Sequence, residues 1–301
     1  MTEQTDGLPK SNEILRLFGH DHALIGMLHL LPLPGAPRFD PHVGMSAVLE
    51  RAEREAGQLL DAGFDGFIVE NGWDIPFVKP ADVGHETSAA LATVVTNLRN
   101  VYPSVPIGVN CLANAVDTSI AVACAAGGNF VRANQWANAY IANEGFIEGR
   151  AGMVARYRHS IGADDITVWA DVHVKLGSHA ITADRSLTEQ ARDAAWFDAN
   201  ALIVTGRRLG DPPLREELHE IKDATNLPVV VGSGVTVSNL AEIFEFADAA
   251  IVGSSIKQHG VWHGDMDEGV LKAMVHERNR VVSDWAELQE SDPFSVTEMA
   301  E

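Results

Sequence analysis

The sequence predicts a single (β/α)8 barrel, and three observations lead to that fold class. Short runs of apolar and β-branched residues alternate with longer amphipathic stretches, which is the pattern of consecutive parallel βα units. Eight such units fit in the 301 residues, a length somewhat above the roughly 250 residues usual for this barrel. The strands are mostly apolar on both faces, as in a parallel sheet that is covered outside and filled inside. A doubly wound open sheet would show similar units, and the count of eight favours the closed barrel.

The eight units follow one another without an interdomain linker or a low-complexity tract. We expect strands at residues 24–29, 66–70, 107–111, 130–133, 167–172, 201–205, 229–232 and 250–253. We expect helices at residues 45–62, 85–101, 117–126, 149–161, 187–198, 213–225, 238–246 and 267–285. One barrel domain is therefore predicted over residues 13–287, between frayed polar tails at 1–12 and 288–301.

Acidic residues strongly outnumber basic ones. The chain has 42 Asp and Glu against 22 Lys and Arg, and its net charge is −20. Such a surface repels DNA, RNA and anionic lipid, so we expect neither a nucleic-acid polymer nor a membrane as a partner. Concentrated salt relieves this self-repulsion, because the Debye length falls to roughly 3 Å at 1 M. A halophilic protein is therefore favoured over an ordinary acidic cytosolic one.

The cysteines and the first residues bear on compartment and cofactors. Cys111 and Cys124 have neither CxxC spacing nor a histidine pattern around them, so no disulfide framework or zinc site is indicated. The start, MTEQTDGLPKSNEI, is polar, and no run approaches 18 apolar residues, so we expect a cytoplasmic protein. No tight metal-ligand spacing such as HExxH is present, and we expect no metal, although an acidic rim could hold a magnesium ion.

The most specific local feature is a pair of glycine–serine turns, in PVVVGSGV (228–235) and AAIVGSSIK (249–257). Glycine lets backbone N–H groups approach an anion, and the N-terminus of a following helix adds positive charge. The loops after the last two strands commonly hold phosphate in (β/α)8 barrels. Each glycine could instead only end its strand, but the likeness of the two loops favours phosphate binding. The predicted phosphate site is Gly232, Ser233, Gly234, Gly253, Ser254 and Ser255.

Polar residues follow nearly every predicted strand, at the end of the barrel where active sites lie. A single one can simply satisfy loop backbone, but so many on one rim indicate a binding site. Alternation places Asp171, His173 and Lys175 on one side if the fifth strand extends that far, for acid–base work or for an ion pair that organises the loop. The polar strand-end residues are His29, Glu70, Asn71, Asn110, Arg132, Asn134, Asp171, His173, Lys175, Thr205 and Gly206.

Two long loops can form walls of this site. The loop after the fourth strand, with the run ANAYIANEGFIEGRAG, can bring Glu144, Glu148 and Arg150 over the mouth as a lid. The proline-rich stretch HLLPLPGAPRFDP (29–41) is stiff and can wall the pocket. Both loops are equally suited to contacting another subunit, and we expect a homo-oligomer of unspecified order.

Nine segments of the sequence resemble the BtpA/SgcQ family between about residues 20 and 285: GMLHLLPLPGAP, VENGWDIPF, IGVNCLAN, FVRAN, EGFIEGRAG, ADVHVK, LIVTG, VVVGSGVT and AIVGSSIK. The resemblance implies a phosphate-binding-type (β/α)8 barrel in a family named for photosystem I biogenesis. Acid-rich members from halophilic archaea look like nucleoside phosphorylases that favour guanosine and supply ribose 1-phosphate to sugar catabolism. This chain departs from the family in reading ENGWD where members often have ENFGD.

By this resemblance the chain is a purine nucleoside phosphorylase, a pentosyltransferase with inorganic phosphate as co-substrate and no cofactor. Catalytic roles then fall to Glu70, Asp171, His29 and Lys175, with one carboxylate serving the departing base and the other holding ribose hydroxyls. Two alternatives stay open: a phosphosugar aldolase or isomerase that uses Lys175 or Asp171, and a non-enzymatic assembly factor. The residues expected to bind the nucleoside are Asn71, Asn110, Arg132, Asn134, Glu148, His173, Thr205 and Gly206.

Overall fold

The computed structural model describes residues 12–291, and a closed barrel of eight parallel strands lies at its centre. The barrel strands are β1 (Ala23–His29), β2 (Gly66–Glu70), β3 (Ile107–Asn110), β4 (Phe130–Ala133), β7 (Thr167–Val172), β8 (Ala201–Val204), β9 (Val229–Val231) and β10 (Ala249–Val252). A two-stranded antiparallel sheet of β5 (Ala139–Ala142) and β6 (Gly145–Glu148) lies outside the barrel. Around the barrel the order is β1-β10-β9-β8-β7-β4-β3-β2, which confirms the predicted (β/α)8 fold.

The helices of the described chain surround the barrel. They are α1 (Glu13–Phe18), α2 (Gly44–Ala62), α3 (His85–Val101), α4 (Val116–Ala126), α5 (Ala151–Ser160), α6 (Leu187–Trp196), α7 (Arg215–Ala224), α8 (Leu240–Phe244) and α9 (Glu268–Ser291). Where a capping motif is present it sets the helix start: the Ser186 hydroxyl accepts from the Glu189 N–H, and the Glu189 carboxylate accepts from the Ser186 N–H. No helix within residues 12–291 is both long and apolar enough to span a membrane.

Of the eight predicted helices only α3 has its predicted bounds; the others differ by one or more residues, and α8 and α9 differ most. α5 begins at Ala151 instead of 149, because β6 extends to Glu148 and Arg150 is the N-cap of the helix. α8 has only five residues instead of the predicted 238–246, and α9 continues to Ser291, beyond the predicted end at 285. The predicted tails fall outside the described residues except for Asn12, which caps α1, and 288–291, which continue α9.

The segment between β4 and α5 was expected to be a loop and is a β-hairpin (β5–β6). Gly145 adopts φ 96° where the chain turns, a left-handed conformation that favours glycine. Backbone hydrogen bonds of 3.0 and 2.7 Å join Ile141 to Ser178, so the hairpin is tied to the loop after β7. Each hairpin strand has only four residues, which is too short for alternation to distinguish it from an irregular loop.

A short helix, α1, packs at the amino-terminal end of the barrel. The Asn12 side chain accepts hydrogen bonds from the N–H groups of Ile14 and Leu15, which begins the helix. Ile14 is fully buried within the interior core cluster, and Phe18 packs against the same cluster. The Phe18 ring makes an edge contact with Trp169, with 6.4 Å between centroids. The sequence analysis missed this helix because six residues carry too little periodicity.

Two apolar layers hold the barrel and determine where polar groups can lie. The interior is filled by alternate strand residues, among them Phe130 and Trp169, which stack with centroids 4.0 Å apart. A larger layer packs between the strands and the surrounding helices. Because side chains such as Met27 and Ile203 fill the interior, polar chemistry is confined to the carboxyl ends of the strands.

Candidate functional site

A cavity of about 700 Å³ opens at the carboxyl ends of the barrel strands. Residues at the end of β1, or in the loops after the other seven barrel strands, contribute to its lining. Its volume lies within the roughly 300 to 1,000 Å³ typical of small-molecule sites. The cavity is therefore large enough to take a substrate of nucleoside size together with an anion.

Two polar side chains, His29 and Glu70, line the floor of the cavity, and Asn110 lies beside Glu70 just beneath it. His29 pairs with Glu70 across β1 and β2, and Glu70 pairs with Asn110 across β2 and β3. The Asn110 side-chain amide donates to Glu70 Oε2 at 2.6 Å, and His29 Nε2 lies 3.7 Å from Glu70 Oε1. One carboxylate thus stands between an amide donor and an imidazole.

Burial shifts the pKa values of Glu70 and His29 in opposite directions. Burial raises the pKa of the Glu70 carboxyl, and the Arg132 and Lys175 charges and the Asn110 hydrogen bond act against that rise. Burial, together with the Lys257 and Lys175 charges, lowers the pKa of His29 to about 3. His29 is therefore neutral near pH 7, and it can accept or donate a hydrogen bond but supplies no charge.

Asp171 is held by an arginine on the neighbouring strand. Arg132 Nε and Nη2 both lie 3.1 Å from the Asp171 carboxylate, and Asn134 Nδ2 donates to the same carboxylate at 3.1 Å. The Asp171 side chain is fully buried, whereas Arg132 and Asn134 line the cavity. Asp171 therefore orients Arg132 and is occupied by protein donors, while the arginine faces the ligand space.

Lys175 is the second cation of the cavity. Burial and the neighbouring Arg132 charge lower the pKa of Lys175 to about 8. Its backbone N–H donates to the Thr205 hydroxyl at 3.0 Å, which fixes the start of the β7–α6 loop. Among residues 12–291 no ion pair engages the Lys175 ammonium, and Asp171 pairs with Arg132 instead. The alternative of an Asp171–Lys175 ion pair is therefore wrong.

The predicted phosphate loops meet at the same cavity. We call residues 232–236 and 253–255 the anion loops; all of them line the cavity. The Ser255 hydroxyl donates to the Val235 carbonyl at 2.5 Å and so joins the two loops. Within the described chain, the backbone N–H groups of Ser233, Gly234, Ser254 and Ser255 donate to no protein acceptor. Arg132 lies against this wall, since its Nη2 would be 3.2 Å from a Cβ on Gly232.

The positive end of a helix contributes less to these loops than the sequence predicted. α8 has five residues and begins at Leu240, beyond the end of its anion loop. Gly253 is followed only by a three-residue 3-10 turn, Ser254–Ile256. Any anion would therefore be held by free loop amides and by Arg132 and Lys175, because neither loop leads directly into a long helix.

A buried charge network supports the anion loops, and the sequence analysis missed it. Lys257 follows the second loop, and its Nζ lies 2.6 Å from Glu55 Oε2 with both side chains almost fully buried. Arg51 donates to the other Glu55 oxygen at 2.9 Å and to the carbonyls of His263 and Gly264 at 3.0 Å. These contacts join α2 to the segment after β10. The position of Lys257 two residues after Ser255 was the available signal.

Several predicted site residues do not line the cavity. Asn71 donates to Asp74 at 3.0 Å and exchanges hydrogen bonds with the Leu112 backbone, so it shapes the β2 and β3 loops. β7 ends at Val172, and His173 has φ 54°, which breaks the expected alternation and leaves it exposed and stacked on His179. The other predicted residues outside the lining are Asp171, Asn110, Thr205, Gly206 and Glu148.

The predicted lid contributes one of its three named residues. Glu144, at the turn of the hairpin, lines the cavity. Glu148 is exposed outside it, and Arg150 forms a 3.1 Å ion pair with Asp117 away from the mouth. Of the proline-rich stretch 29–41 only His29 reaches the lining, because residues such as Leu33 pack into the core.

An aromatic and apolar wall was also missed. Trp262, on the loop after β10, lines the cavity. It makes an edge contact with His29 at 5.6 Å and a tilted contact with Trp73 at 5.5 Å between centroids. The unusual ENGWD segment is thus explained, since Trp73 packs on Trp262. The remaining apolar lining includes Ile75, Pro76, Phe77, Leu112, Tyr140, Val174, Leu176 and Leu209.

Three buried polar atoms at the site lack a hydrogen-bond partner in the described chain. They are His29 Nδ1, Asn110 Oδ1 and Asn134 Oδ1. Buried polar groups in folded proteins are nearly always paired, so unpaired ones beside a cavity indicate a polar ligand. No group of three or more His, Cys, Asp or Glu side chains able to hold a metal ion is found in residues 12–291.

The sequence of this barrel is similar to that of known proteins. A profile of the BtpA family matches residues 20–280. The chain belongs to the BtpA family. Photosystem I biogenesis protein BtpA from Synechocystis sp. is 34% identical over 253 residues, which cover 82% of this chain and 85% of that protein. An uncharacterized mitochondrial protein of Caenorhabditis elegans is 37% identical over 257 residues, covering 84% of this chain and 92% of that protein.

Solved structures similar to this BtpA-family chain have the same barrel. Thiamine phosphate pyrophosphorylase from Pyrococcus furiosus gives a TM-score of 0.55 at 13% identity, covering 90% of this chain and all of that one (100%). Mycobacterium tuberculosis tryptophan synthase gives a TM-score of 0.56 at 16% identity, covering 89% and 98%. At such identities the likeness shows the fold alone, so the chemistry of this BtpA-family member has to be argued from its own residues.

Proposed function

We propose that this BtpA-family barrel is a purine nucleoside phosphorylase, with guanosine as the preferred substrate. The observation that carries the proposal is that four free loop amides, Arg132 and Lys175 line one cavity together with Glu70. An anion site beside a buried carboxylate suits a reaction in which phosphate attacks a sugar carbon. The resemblance of the acid-rich sequence to halophilic phosphorylases supports the choice of nucleoside.

The reaction replaces one bond to the anomeric carbon by another. A phosphate oxygen forms a bond to C1′ as the C1′–N9 bond breaks, and the bonding electron pair leaves with the purine. The proton of hydrogen phosphate ends on the base, so guanosine and phosphate give guanine and ribose 1-phosphate. The transition state carries positive charge on the ribose ring and negative charge on the base, and each must be stabilised.

The anion loops, together with Arg132 and Lys175, would bind and orient the phosphate. Free amides of the anion loops can each donate to a phosphate oxygen, and charge-assisted bonds of this kind are about twice as strong as neutral ones. Arg132 is already oriented by Asp171 and needs no rearrangement to meet the anion. Lys175 adds a point charge beside it. Asp171 acts in this scheme as a positioning residue for Arg132.

Glu70 is the carboxylate best suited to the ribose. It lines the cavity, whereas Asp171 does not, and only one Glu70 oxygen is engaged by Asn110. Its carboxylate can accept from a ribose hydroxyl and stabilise positive charge on the ring. Neutral His29, with Nδ1 unpaired, can bind a second hydroxyl. Asn134 Oδ1 is a further acceptor for the nucleoside.

The working environment follows from charge. A net charge of −20 fits a cytoplasmic protein that works in concentrated salt, where counterions screen the acidic surface. Inorganic phosphate is the co-substrate, no organic cofactor enters the reaction, and the protein assembles as a homo-oligomer. Nucleic-acid polymers and membranes are not partners in this proposal.

The test is a nucleoside panel with purified protein in molar potassium chloride. Guanosine, inosine, adenosine and uridine are incubated with and without phosphate, and free base and ribose 1-phosphate are measured by chromatography. We expect phosphate-dependent release of guanine together with an equal amount of ribose 1-phosphate. Glu70→Gln should lower kcat by about 100-fold or more while thermal unfolding stays cooperative.

Two results would overturn the proposal. If the protein releases base equally well without phosphate, it is a hydrolase. If no nucleoside in the panel is cleaved under any salt condition, a nucleoside is not its substrate.

Lys175 supports a second candidate, a phosphosugar aldolase or isomerase. Lys175 lines the same cavity as the anion loops, no ion pair within residues 12–291 engages its amine, and its pKa is lowered to about 8. Such an amine can add to a ketose carbonyl and lose water to give a Schiff base. Borohydride trapping of a ketose phosphate on Lys175 would favour this activity, and phosphate-dependent base release would count against it.

A further inference from the structure

The wall opposite the anion loops is built by the β-hairpin, and this arrangement points to how the base is chosen. In the ring of eight strands, β4 stands four places from β10, and β3 stands four places from β9. The hairpin follows β4, and Leu112 follows β3. The hairpin turn therefore faces the anion loops across the mouth of the cavity, and Asn143 and Glu144 of that turn line it.

Displacement at C1′ requires the incoming and leaving groups to lie on opposite sides of the carbon. If phosphate occupies the anion loops, the purine must extend toward the opposite wall. We infer that the Glu144 carboxylate accepts hydrogen bonds from the edge of the base and thereby selects purines that present N–H donors. This inference rests on the proposed phosphorylase function. Phosphate and base would then be recognised by opposite walls.

The hairpin side of the cavity has the composition that a purine needs. Phe77, Leu112 and Tyr140 present apolar surface for the faces of a flat ring. Glu144 adds a half-buried carboxylate at the edge, and among residues 12–291 no hydrogen bond or ion pair engages that carboxylate. The side chain is therefore available for a ligand donor.

The turn is held in place by several contacts, so its carboxylate can discriminate between bases. The backbone of Ile141 is bonded to Ser178, and the Tyr140 ring stacks on His179 with centroids 5.3 Å apart. Beyond the turn, a Cβ on Gly145 would lie 3.5 Å from Lys79 of the loop after β2. The hairpin thus reaches across β3 to the β2 loop and covers that side of the mouth.

A carboxylate discriminates between purines because it only accepts hydrogen bonds. Guanine offers N1–H and its 2-amino group as two parallel donors, and hypoxanthine offers N1–H alone. Adenine presents an unprotonated N1, whose lone pair is repelled by the carboxylate. The expected order of preference is therefore guanosine, then inosine, then adenosine, with selection for 6-oxopurines.

The test compares kcat/KM for guanosine, inosine and adenosine in the wild type and in Glu144→Gln. Glutamine has nearly the same shape but places a donor where the base also presents donors. We expect kcat/KM for guanosine to fall by about 100-fold, the value for inosine to fall less, and the value for adenosine to stay level or rise. Glu216→Gln, the same chemical change on the exposed surface of α7, serves as the control.

The outcomes separate this inference from the proposed function. If the wild type cleaves guanosine and Glu144→Gln keeps the same guanosine-to-adenosine ratio, Glu144 does not read the base and the inference is overturned. If the wild type cleaves no nucleoside, the proposed function itself fails. Glu144→Ala provides a second variant, and it should also reduce the ratio because it removes the acceptor without adding a donor.

Discussion

The two walls of the cavity present different kinds of chemical group. The anion loops offer backbone N–H groups, and their shape is set by glycines, by the Ser255–Val235 hydrogen bond and by the buried Lys257–Glu55 pair. The hairpin offers side chains, and its place depends on contacts with the loops after β2 and β7. Backbone recognition tolerates little movement but is independent of side-chain identity, whereas the hairpin can change specificity by a single substitution.

The largest expected effect comes from displacing an anion loop without changing any side chain that faces the ligand. At Gly234, with φ 70°, a Cβ would lie 2.1 Å from Pro212 N and 2.3 Å from the Asp211 carbonyl carbon. Gly234→Ala must therefore displace the loop. We expect kcat/KM for phosphate to fall by about 100-fold or more, since a displacement of about 1 Å at a catalytic site has that effect. Steady-state phosphate titration measures it.

Gly162→Ala is the matched control. Gly162 has nearly the same φ, 71°, but a Cβ there would meet no atom within 4 Å, and the residue lies away from the cavity. It should show the left-handed strain of about 1 kcal/mol in thermal unfolding and no change in phosphate kinetics. Equal kinetics in the two variants would mean that the free amides of the anion loops do not bind phosphate.

A second test concerns the Asp171–Arg132 pair, whose arginine lies close to Gly232 of the first anion loop. Asp171→Asn leaves Arg132 without its charged partner, and we expect a loss of about 3 to 5 kcal/mol in the free energy of unfolding, as for other broken buried pairs. Because Asp171 acts through Arg132, the phosphate KM should rise by about 10-fold or more, with a smaller change in kcat. Denaturant unfolding and phosphate titration measure the two effects.

The split between KM and kcat decides the role of Asp171. If kcat falls as much in Asp171→Asn as in Glu70→Gln while the phosphate KM is unchanged, Asp171 takes part in the chemistry directly. It would then not be a positioning residue.

The sequence was sufficient to predict the anion loops but not the hairpin wall. The anion loops are short and local, so the glycine–serine turns after the last two strands were enough to predict six of their eight cavity-lining residues. Apolar runs likewise predicted the barrel. The partner of Asp171, however, depends on the neighbouring strand rather than on its own loop, and it is Arg132 instead of Lys175, which had been the alternative interpretation.

The rest of the site depends on tertiary placement that single segments do not encode. The alternation expected through His173 fails because the strand ends at Val172 and the next residue turns left-handed. The hairpin wall, Trp262 and the Lys257–Glu55 pair combine segments far apart in the chain, and the two members of that pair are 202 positions apart. The periodicity of a single segment cannot predict contacts between segments that lie far apart in the chain.

The smallest expected effect concerns the charge of Lys175, which titrates, whereas the backbone amides of the anion loops do not. The pKa of Lys175 is lowered to about 8, so its charge is present below that pH and is lost as the pH rises through it. Near pH 7 the wild type should exceed Lys175→Met in kcat/KM for phosphate by about 10-fold. The ratio between the two proteins should fall toward one between pH 8 and 9.5, because both then lack the charge.

Taking the ratio removes the titration of phosphate itself, which is the same for both proteins, and kcat/KM reports the pKa values of the free enzyme. A ratio that stays constant across this pH range would mean that Lys175 contributes no titrating charge to phosphate binding. Phosphate would then be bound by the free amides and Arg132 alone. The case for a Lys175 amine available to a ketose carbonyl would weaken at the same time.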